Sequence, residues 1–297
     1  MEAIGKFYSE RVLGCIVGGA IGDAAGSAFE NSDTLDCANW LARPWRLTDD
    51  TQLTLATCEA LTSGRVDAAT IADSLLGWYR SRRLVGLGSS TLKALRDLDA
   101  GLHWALSGRK GDRAAGNGAA MRIAPVAFLV DPEEPYGRTL IRDICRITHD
   151  NDEAYIGALA IVLAIRASAN SENLSLHELA QKLPDSIVRD RLQLLANLDS
   201  SATIARVAEL GTSGFVADTV PLALFSSRQV FHIGFQEMLN QVISVGGDTD
   251  SIASISCQLA GAAIGLSSLP FELVGRIPEF EVVKGIAMRF ASAICVR

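Results

Sequence analysis

Val66-Asp67-Ala68-Ala69-Thr70-Ile71-Ala72-Asp73-Ser74-Leu75-Leu76-Gly77-Trp78-Tyr79-Arg80-Ser81-Arg82 carries the period that decides the fold. Wound as a helix, this stretch places Val66, Ile71, Leu75, Trp78 and Tyr79 on one side and turns Asp67, Asp73, Arg80 and Arg82 toward water. Alternating strand-like runs bounded by hairpin turns are hard to find elsewhere, so the same period governs the rest of the chain. It predicts further helices at about 9–28, 50–63, 89–106, 137–148, 152–169, 174–183, 186–197, 217–226, 230–244, 249–266 and 281–295. Gly64, Pro132, Pro135, Pro184, Gly214 and Pro270 mark the turns. Residues 119–130 read as a helix interrupted at Pro125, because a proline is unfavourable in a central strand. No low-complexity linker, composition break or internal repeat divides the sequence. The expectation is one all-α domain over residues 1–297.

The 297 residues are enough to bury a sizeable core. Apolar residues make up 48% and aromatics only 6%, so a core of Ala, Leu, Ile and Val lets helices approach closely. The net charge of −7 comes without a basic stripe, which argues against broad nucleic-acid binding. Cys15, Cys37, Cys58, Cys145, Cys257 and Cys295 are scattered, with no CxxC pair and no metal-finger spacing. Most are expected reduced and buried. Met1 to Arg11 has no apolar signal core, and no uninterrupted apolar run reaches the roughly 18 residues of a membrane span. A cytoplasmic location is the expectation, with no membrane partner.

Chemistry concentrates at two predicted helix starts. The first is Leu47-Thr48-Asp49-Asp50-Thr51-Gln52, which enters the run Leu53, Leu55, Ala56, Cys58, Leu61. The second is Val245-Gly246-Gly247-Asp248-Thr249-Asp250-Ser251, entering a helix striped by Ile252, Ile255, Leu259 and Ala263. Capping of free N–H groups and attraction to the helix dipole explain one aspartate in each. They do not explain four. The small residues Ala253, Ser254, Ala260, Gly261 and Ala262 imply that the second helix is deeply packed. Four carboxylates meeting in a poorly solvated place would require cations, and two divalent ions would balance them. Thr48 and Ser251 add hydroxyl oxygens, and neither segment holds His or Cys. An all-oxygen shell selects Mg²⁺, Mn²⁺ or Ca²⁺ over zinc or copper.

These residues, with others spread over nearly the whole chain, carry a resemblance. Gly18-Gly19-Ala20-Ile21-Gly22-Asp23-Ala24 with Glu30 behind it, Thr48-Asp49-Asp50-Thr51, Gly116-Asn117-Gly118-Ala119-Ala120-Met121-Arg122, Thr148-His149, Gly214 through Thr219 and Gly246 through Ser251 occur in order. The chain thereby resembles the ADP-ribosylglycohydrolase family, which includes dinitrogenase-reductase-activating glycohydrolases and ADP-ribosyl-acceptor hydrolases. The resemblance implies an orthogonal all-α helical bundle. It also implies a binuclear Mg²⁺ or Mn²⁺ centre held by Thr48, Asp49, Asp50, Asp248, Asp250 and Ser251. The family usually has Thr where this chain has Ser251, and both offer a hydroxyl.

The implied activity is hydrolysis at the anomeric carbon of ADP-ribose, through an oxocarbenium-like state that carboxylates and a cation-activated water stabilise. Asp50 or Glu30 would move protons, although Glu30 also reads as an ordinary exposed acid at a helix end. Gly116, Asn117 and Gly118 would cradle the diphosphate, their plain alternative being a turn. Met121 and His149 complete the expected substrate contacts, and Arg122 would meet either a phosphate or an internal carboxylate. His103, His177 and His232 read as structural or surface residues. The implied partners are ADP-ribose or an ADP-ribosylated protein. A second reading is a binding or immunity module of the same fold that caps an ADP-ribosylating toxin.

One departure matters. Many arginine-directed members carry an acid before Ile-Gly in the stretch that here reads Val85-Gly86-Leu87-Gly88-Ser89-Ser90-Thr91, and this chain has Gly86. That leaves serine-linked, O-acetyl, polymeric and nucleic-acid-linked ADP-ribose open.

Overall fold

The computed structural model describes residues 2–30, 37–199 and 201–295, with the side chains of 2–6 and 37–39 outside that description. Among the described residues sixteen α-helical segments follow in order. The first are α1 (Glu2–Gly26), α2 (Asp49–Thr62), α3 (Ala68–Arg80), α4 (Ser89–Asp99), α5 (Trp104–Ser107), α6 (Pro135–Arg146) and α7 (Asp152–Ala169). Next come α8 (Leu176–Gln181), α9 (Ile187–Ala196), α10 (Ile204–Ala208), α11 (Val216–Arg228), α12 (Val230–Ile233) and α13 (Phe235–Ser244). The last are α14 (Thr249–Ile264), α15 (Phe271–Val274) and α16 (Phe280–Cys295). Among the described residues the only paired strands are two residues long: β1 (Arg109–Lys110) lies parallel to β2 (His149–Asp150). The all-α expectation holds.

The stretch that decided the fold behaves as its period requires. Ile71, Leu75 and Trp78 are buried on α3. Asp67 begins the helix, its carboxylate accepting the Thr70 N–H at 2.7 Å.

At the centre lies α14, buried along nearly its whole length, with α1 running antiparallel against it. Every fourth residue of α1 at the contact is glycine. A Cβ built on Gly14, Gly18, Gly22 or Gly26 would lie 2.2–2.6 Å from the carbonyl oxygens of Gly261, Cys257, Ala253 and Thr249 respectively. No side chain fits between backbones that close, so the two axes approach as only glycine permits.

Several boundaries differ from the sequence reading. The expected helix 89–106 is two helices, because Gly101 adopts φ +92°. Gly234, at φ +78°, likewise divides 230–244 into α12 and α13. Residues 119–130 are buried turns followed by a short 3₁₀ helix, Ala124–Phe128, rather than an interrupted α-helix. Pro125 stands in its first turn, where the missing N–H costs nothing. Pro221 inside α11 removes the N–H that Ala217 would accept, and the Arg191 guanidinium donates to that carbonyl instead, at 2.8 Å.

Cys15, Cys58, Cys145 and Cys257 are free and buried, Cys295 is exposed, and the Cys37 side chain lies outside the described residues. Among the described residues no helix is long and apolar enough to cross a membrane.

Candidate active site

The starts of α2 and α14 meet. The Ser251 hydroxyl donates to Asp50 Oδ2 at 3.2 Å, which joins the two acidic segments directly. Thr48 is the N-cap of α2, its Oγ1 accepting the Asp50 N–H at 3.3 Å. The same hydroxyl donates to Asp23 Oδ1 at 2.6 Å. Asp23, fully buried on α1, also accepts the backbone N–H of Thr48 at 3.0 Å and of Thr51 at 3.1 Å. It therefore ties α1 to the first turn of α2 and brings a fifth carboxylate to the site.

Two groups of carboxylates have ligand atoms close enough to share an ion, Asp23 with Asp50 and Asp250, and Glu30 with Asp248 and Asp250. Asp250 belongs to both. Burial raises the Asp50 carboxyl well above the usual carboxylate range, and the charges of Asp250, Asp23, Asp49 and Asp248 push it further. Burial, then Asp248, Glu30 and Asp23, lift Asp250 to about 9. Asp49 is raised to about 7 by burial and by Asp23. Asp23 reaches only about 6, because its hydrogen bonds from Thr48 and Thr51 oppose the burial. No ion pair among the described residues involves any of the five aspartates. Asp50 Oδ1 is buried with no hydrogen-bond partner. A buried carboxyl oxygen without a partner, beside four more carboxyl groups that resist ionisation together, is the chemistry of a cation site. An all-oxygen donor set of this kind fits a hard divalent ion.

A cleft of about 280 Å³ opens above this cluster. Glu30, Asp49, Asp50, Asp248, Asp250 and Ser251 line one side of it, and Gly116, Asn117, Gly118, Met121 and His149 line another. Glu30 is exposed at the edge. Gly86 faces Asp49, where a Cβ would stand 3.5 Å from Oδ1, and its φ of +81° suits glycine.

Asn117 lines the cleft and also reaches the carboxylate cluster. Its side-chain amide donates to Asp248 Oδ2 at 2.6 Å and Thr219 Oγ1 at 3.0 Å, and its backbone N–H donates to Gly214 O at 3.0 Å. It orients a carboxylate of the cluster, while Gly118 has a backbone N–H that donates to no backbone acceptor among the described residues. These residues form a turn. Arg122 neither lines the cleft nor meets a carboxylate; it is fully buried behind His149. The other three histidines are exposed.

Asp23 was quoted within a motif but given no role in the sequence reading. Its signal was present, as the one charged residue between Val12 and Phe29. Arg113, on the cleft wall, carried no such signal. A larger cavity of about 470 Å³ lies toward the other end of α14, between Arg11, Leu224 and Arg228, but no carboxylate cluster meets there. The titratable groups make the smaller cleft the candidate site.

The ADP-ribosylglycohydrolase family model matches residues 5–297. The chain belongs to the ADP-ribosylglycohydrolase family. It is similar to the ADP-ribosylarginine hydrolase Tri1 of Pseudomonas putida, 27% identical over 302 residues that cover 94% of this chain and 77% of the relative. To the human ADP-ribosylhydrolase ARH3 it is 25% identical, covering 88% and 87%. A solved structure described as an ADP-ribosylglycohydrolase-related protein complex superposes with a TM-score of 0.71 at 26% identity, over 97% of this chain and 99% of that one. Membership with named hydrolases among the relatives makes this chain a glycohydrolase.

Proposed function

We propose that this glycohydrolase removes ADP-ribose from a modified target by breaking the bond at the anomeric ribose carbon, at a centre of two divalent cations, Mg²⁺ or Mn²⁺. The observation that carries the reading is the unpartnered Asp50 Oδ1 among Asp23, Asp49, Asp248 and Asp250, an anionic cluster without a protein cation. Thr48, Asp49, Asp50, Asp248, Asp250 and Ser251 are the proposed ligand set, and Asp250, common to both carboxylate groups, is suited to serve both positions. When bound, the cations neutralise the carboxylates, orient the ribose hydroxyls and make water a better nucleophile.

The protein's own groups supply the rest. Glu30, at the open edge, is placed to take a proton from water or give one to the leaving group, and Asp50 is the second candidate for that role. Asn117 fixes the direction of Asp248 through its amide. Gly118 offers a backbone N–H, and His149 a ring edge, to the substrate's oxygens. Gly86 brings no carboxylate to a guanidinium, which weighs toward a hydroxyl-linked adduct such as that of serine. One domain over residues 1–297, working in the cytoplasm, is part of the same proposal.

The test is an incubation with ADP-ribosylated arginine and serine peptides in Mg²⁺, Mn²⁺ or EDTA, following free ADP-ribose. Release that requires a divalent ion and vanishes in Asp50→Ala and Asp248→Ala is expected. Full turnover in EDTA, or in either variant, would remove the mechanism.

A further inference from the structure

A guanidinium with no carboxylate, sealed in the protein, is costly, and Arg122 is one. It is 0% exposed. Its Nη2 donates to Ile144 O at 3.2 Å and to Thr148 Oγ1 at 3.0 Å, while Nε and Nη1 are buried without partners. Nothing about packing alone asks for a cation there. What it touches is the hydroxyl next to His149.

We propose that Arg122 is a positioning residue, which acts through the Thr148 hydroxyl to hold His149 as the Nε2–H tautomer, a neutral donor aimed into the cleft beside Gly116 and Gly118. The inference rests on the function proposed above only for what that donor meets, an oxygen of the bound ADP-ribose.

Hydrogen counting sets the tautomer. A guanidinium donates and never accepts, so Thr148 Oγ1 is the acceptor in its bond with Arg122. The hydroxyl's own hydrogen is then free for its other partner, His149 Nδ1, 2.8 Å away. An Nδ1 that accepts leaves the ring hydrogen on Nε2. In the opposite tautomer Thr148 Oγ1 would accept twice, and its hydrogen would have no acceptor among the described residues. The doubly protonated ring is disfavoured as well, since burial and the charges of Arg122 and Arg109 push His149 down to about 3.

The orientation of the ring is fixed by the glycine turn beside it. A Cβ on Gly118 would stand 2.7 Å from His149 Cε1 and 3.2 Å from Nε2, and one on Gly116 3.4 Å from Nε2. The Nε2 edge therefore lies against the glycine turn, and only glycine at 118 leaves it room. β2 holds the backbone of His149 in place, with the Arg109 N–H donating to Thr148 O at 3.0 Å. The result is a neutral donor on the cleft wall, held at one nitrogen by Thr148 and free at the other.

The test uses the full-length protein labelled with ¹⁵N at histidine. Long-range ¹H–¹⁵N correlation in the free, Mg²⁺-loaded protein should give His149 an unprotonated Nδ1 and a protonated Nε2, unchanged over about pH 5 to 8. Thr148→Val should move the ring toward Nδ1–H and weaken ADP-ribose binding, measured by calorimetry, about tenfold. Thr148→Ser should restore both. An Nδ1–H tautomer or an imidazolium in the parent protein would overturn the proposal, as would Thr148→Val with an unchanged spectrum. Because the spectrum is read without substrate, failure to bind ADP-ribose would count against the proposed function and leave the relay to be judged on the tautomer. Arg122→Gln, if it folds, should show the same tautomer shift as Thr148→Val.

Discussion

Stripping the divalent ions should invert the pH dependence of stability that carboxylates usually confer. Asp49 is raised from 3.8 to about 7 in the folded protein, so between those values the folded state holds a proton that the unfolded state has released. Stability is then full below pH 4 and falls as pH rises through the folded value. Three units at ~1.36 kcal/mol each put this one group on the order of 4 kcal/mol by neutral pH. Asp250, raised to about 9, continues the slope above pH 7. Cations reverse it, since they bind the ionised form. At a hundredfold excess over its Kd, a bound ion adds about 2.7 kcal/mol, or roughly 4 °C in Tm at this chain length. The assay is thermal unfolding in EDTA and in Mg²⁺ or Mn²⁺, at steps from about pH 4 to 8. The metal-dependent gain should grow with pH as more of the cluster ionises, while Asp67 at the start of α3, Glu178 in the first turn of α8 and Asp199 in its turn, whose carboxyls are lowered, contribute equally to both series. A gain that is absent, or constant across the range, would refute the reasoning.

The same cluster predicts that Asp50→Asn raises the stability of the ion-free protein by about 1–3 kcal/mol at pH 7 while reducing hydrolysis at least about 100-fold, checked by urea unfolding and ADP-ribose release. Asn117→Ala leaves Asp248 Oδ2 without its donor, and metal affinity should drop about 10- to 100-fold in calorimetry with Mn²⁺. Gly22→Ala puts a methyl 2.2 Å from Ala253 O; about 1–3 kcal/mol of overpacking should outweigh the ~1 kcal/mol that alanine gains as a helix former. A more stable Gly22→Ala protein in urea unfolding would mean that the helices are not in close contact there.

What the sequence disclosed depended on how each helix meets its surroundings. The half-buried α3 showed its period openly, since Ile71, Leu75 and Trp78 alternate with charges. The central pair showed a helical stripe in Ile252, Ile255 and Leu259, but small and apolar residues also surround it, so polarity does not mark the face at which α14 meets α1. Their signal is instead the spacing of Gly14, Gly18, Gly22 and Gly26, which an amphipathic template does not score. Gly101 and Gly234 broke expected helices because a lone glycine in a helical pattern is ambiguous until its φ is known. At the site, Thr48, Asp49, Asp50, Asp248, Asp250 and Ser251 stood out because acids are crowded into short segments. Asp23 did not, being single. The bond from Asn117 to Asp248 was not legible, since the two are distant in sequence and only the fold joins them.

The glycine row and the carboxylate cluster are one construction. Since α1 runs antiparallel to α14, the close approach of Gly22 to Ala253 and of Gly26 to Thr249 puts the last turns of α1 beside the first turn of α14. Asp23 follows Gly22 directly, and Asp250 follows Thr249, so the contact that excludes side chains along the seam forces these two carboxylates together at its end. From there Asp23 reaches across to the N–H groups of Thr48 and Thr51 and sets where α2 begins, which fixes Asp50 against Ser251. Widening the seam near Gly22 should therefore lower metal affinity even though no ligand is altered. Mn²⁺ calorimetry on Gly22→Ala, beside Gly14→Ala at the far end of the seam, tests this directly. Both variants should lose stability, and only the first should lose metal; equal affinities would separate the seam from the site.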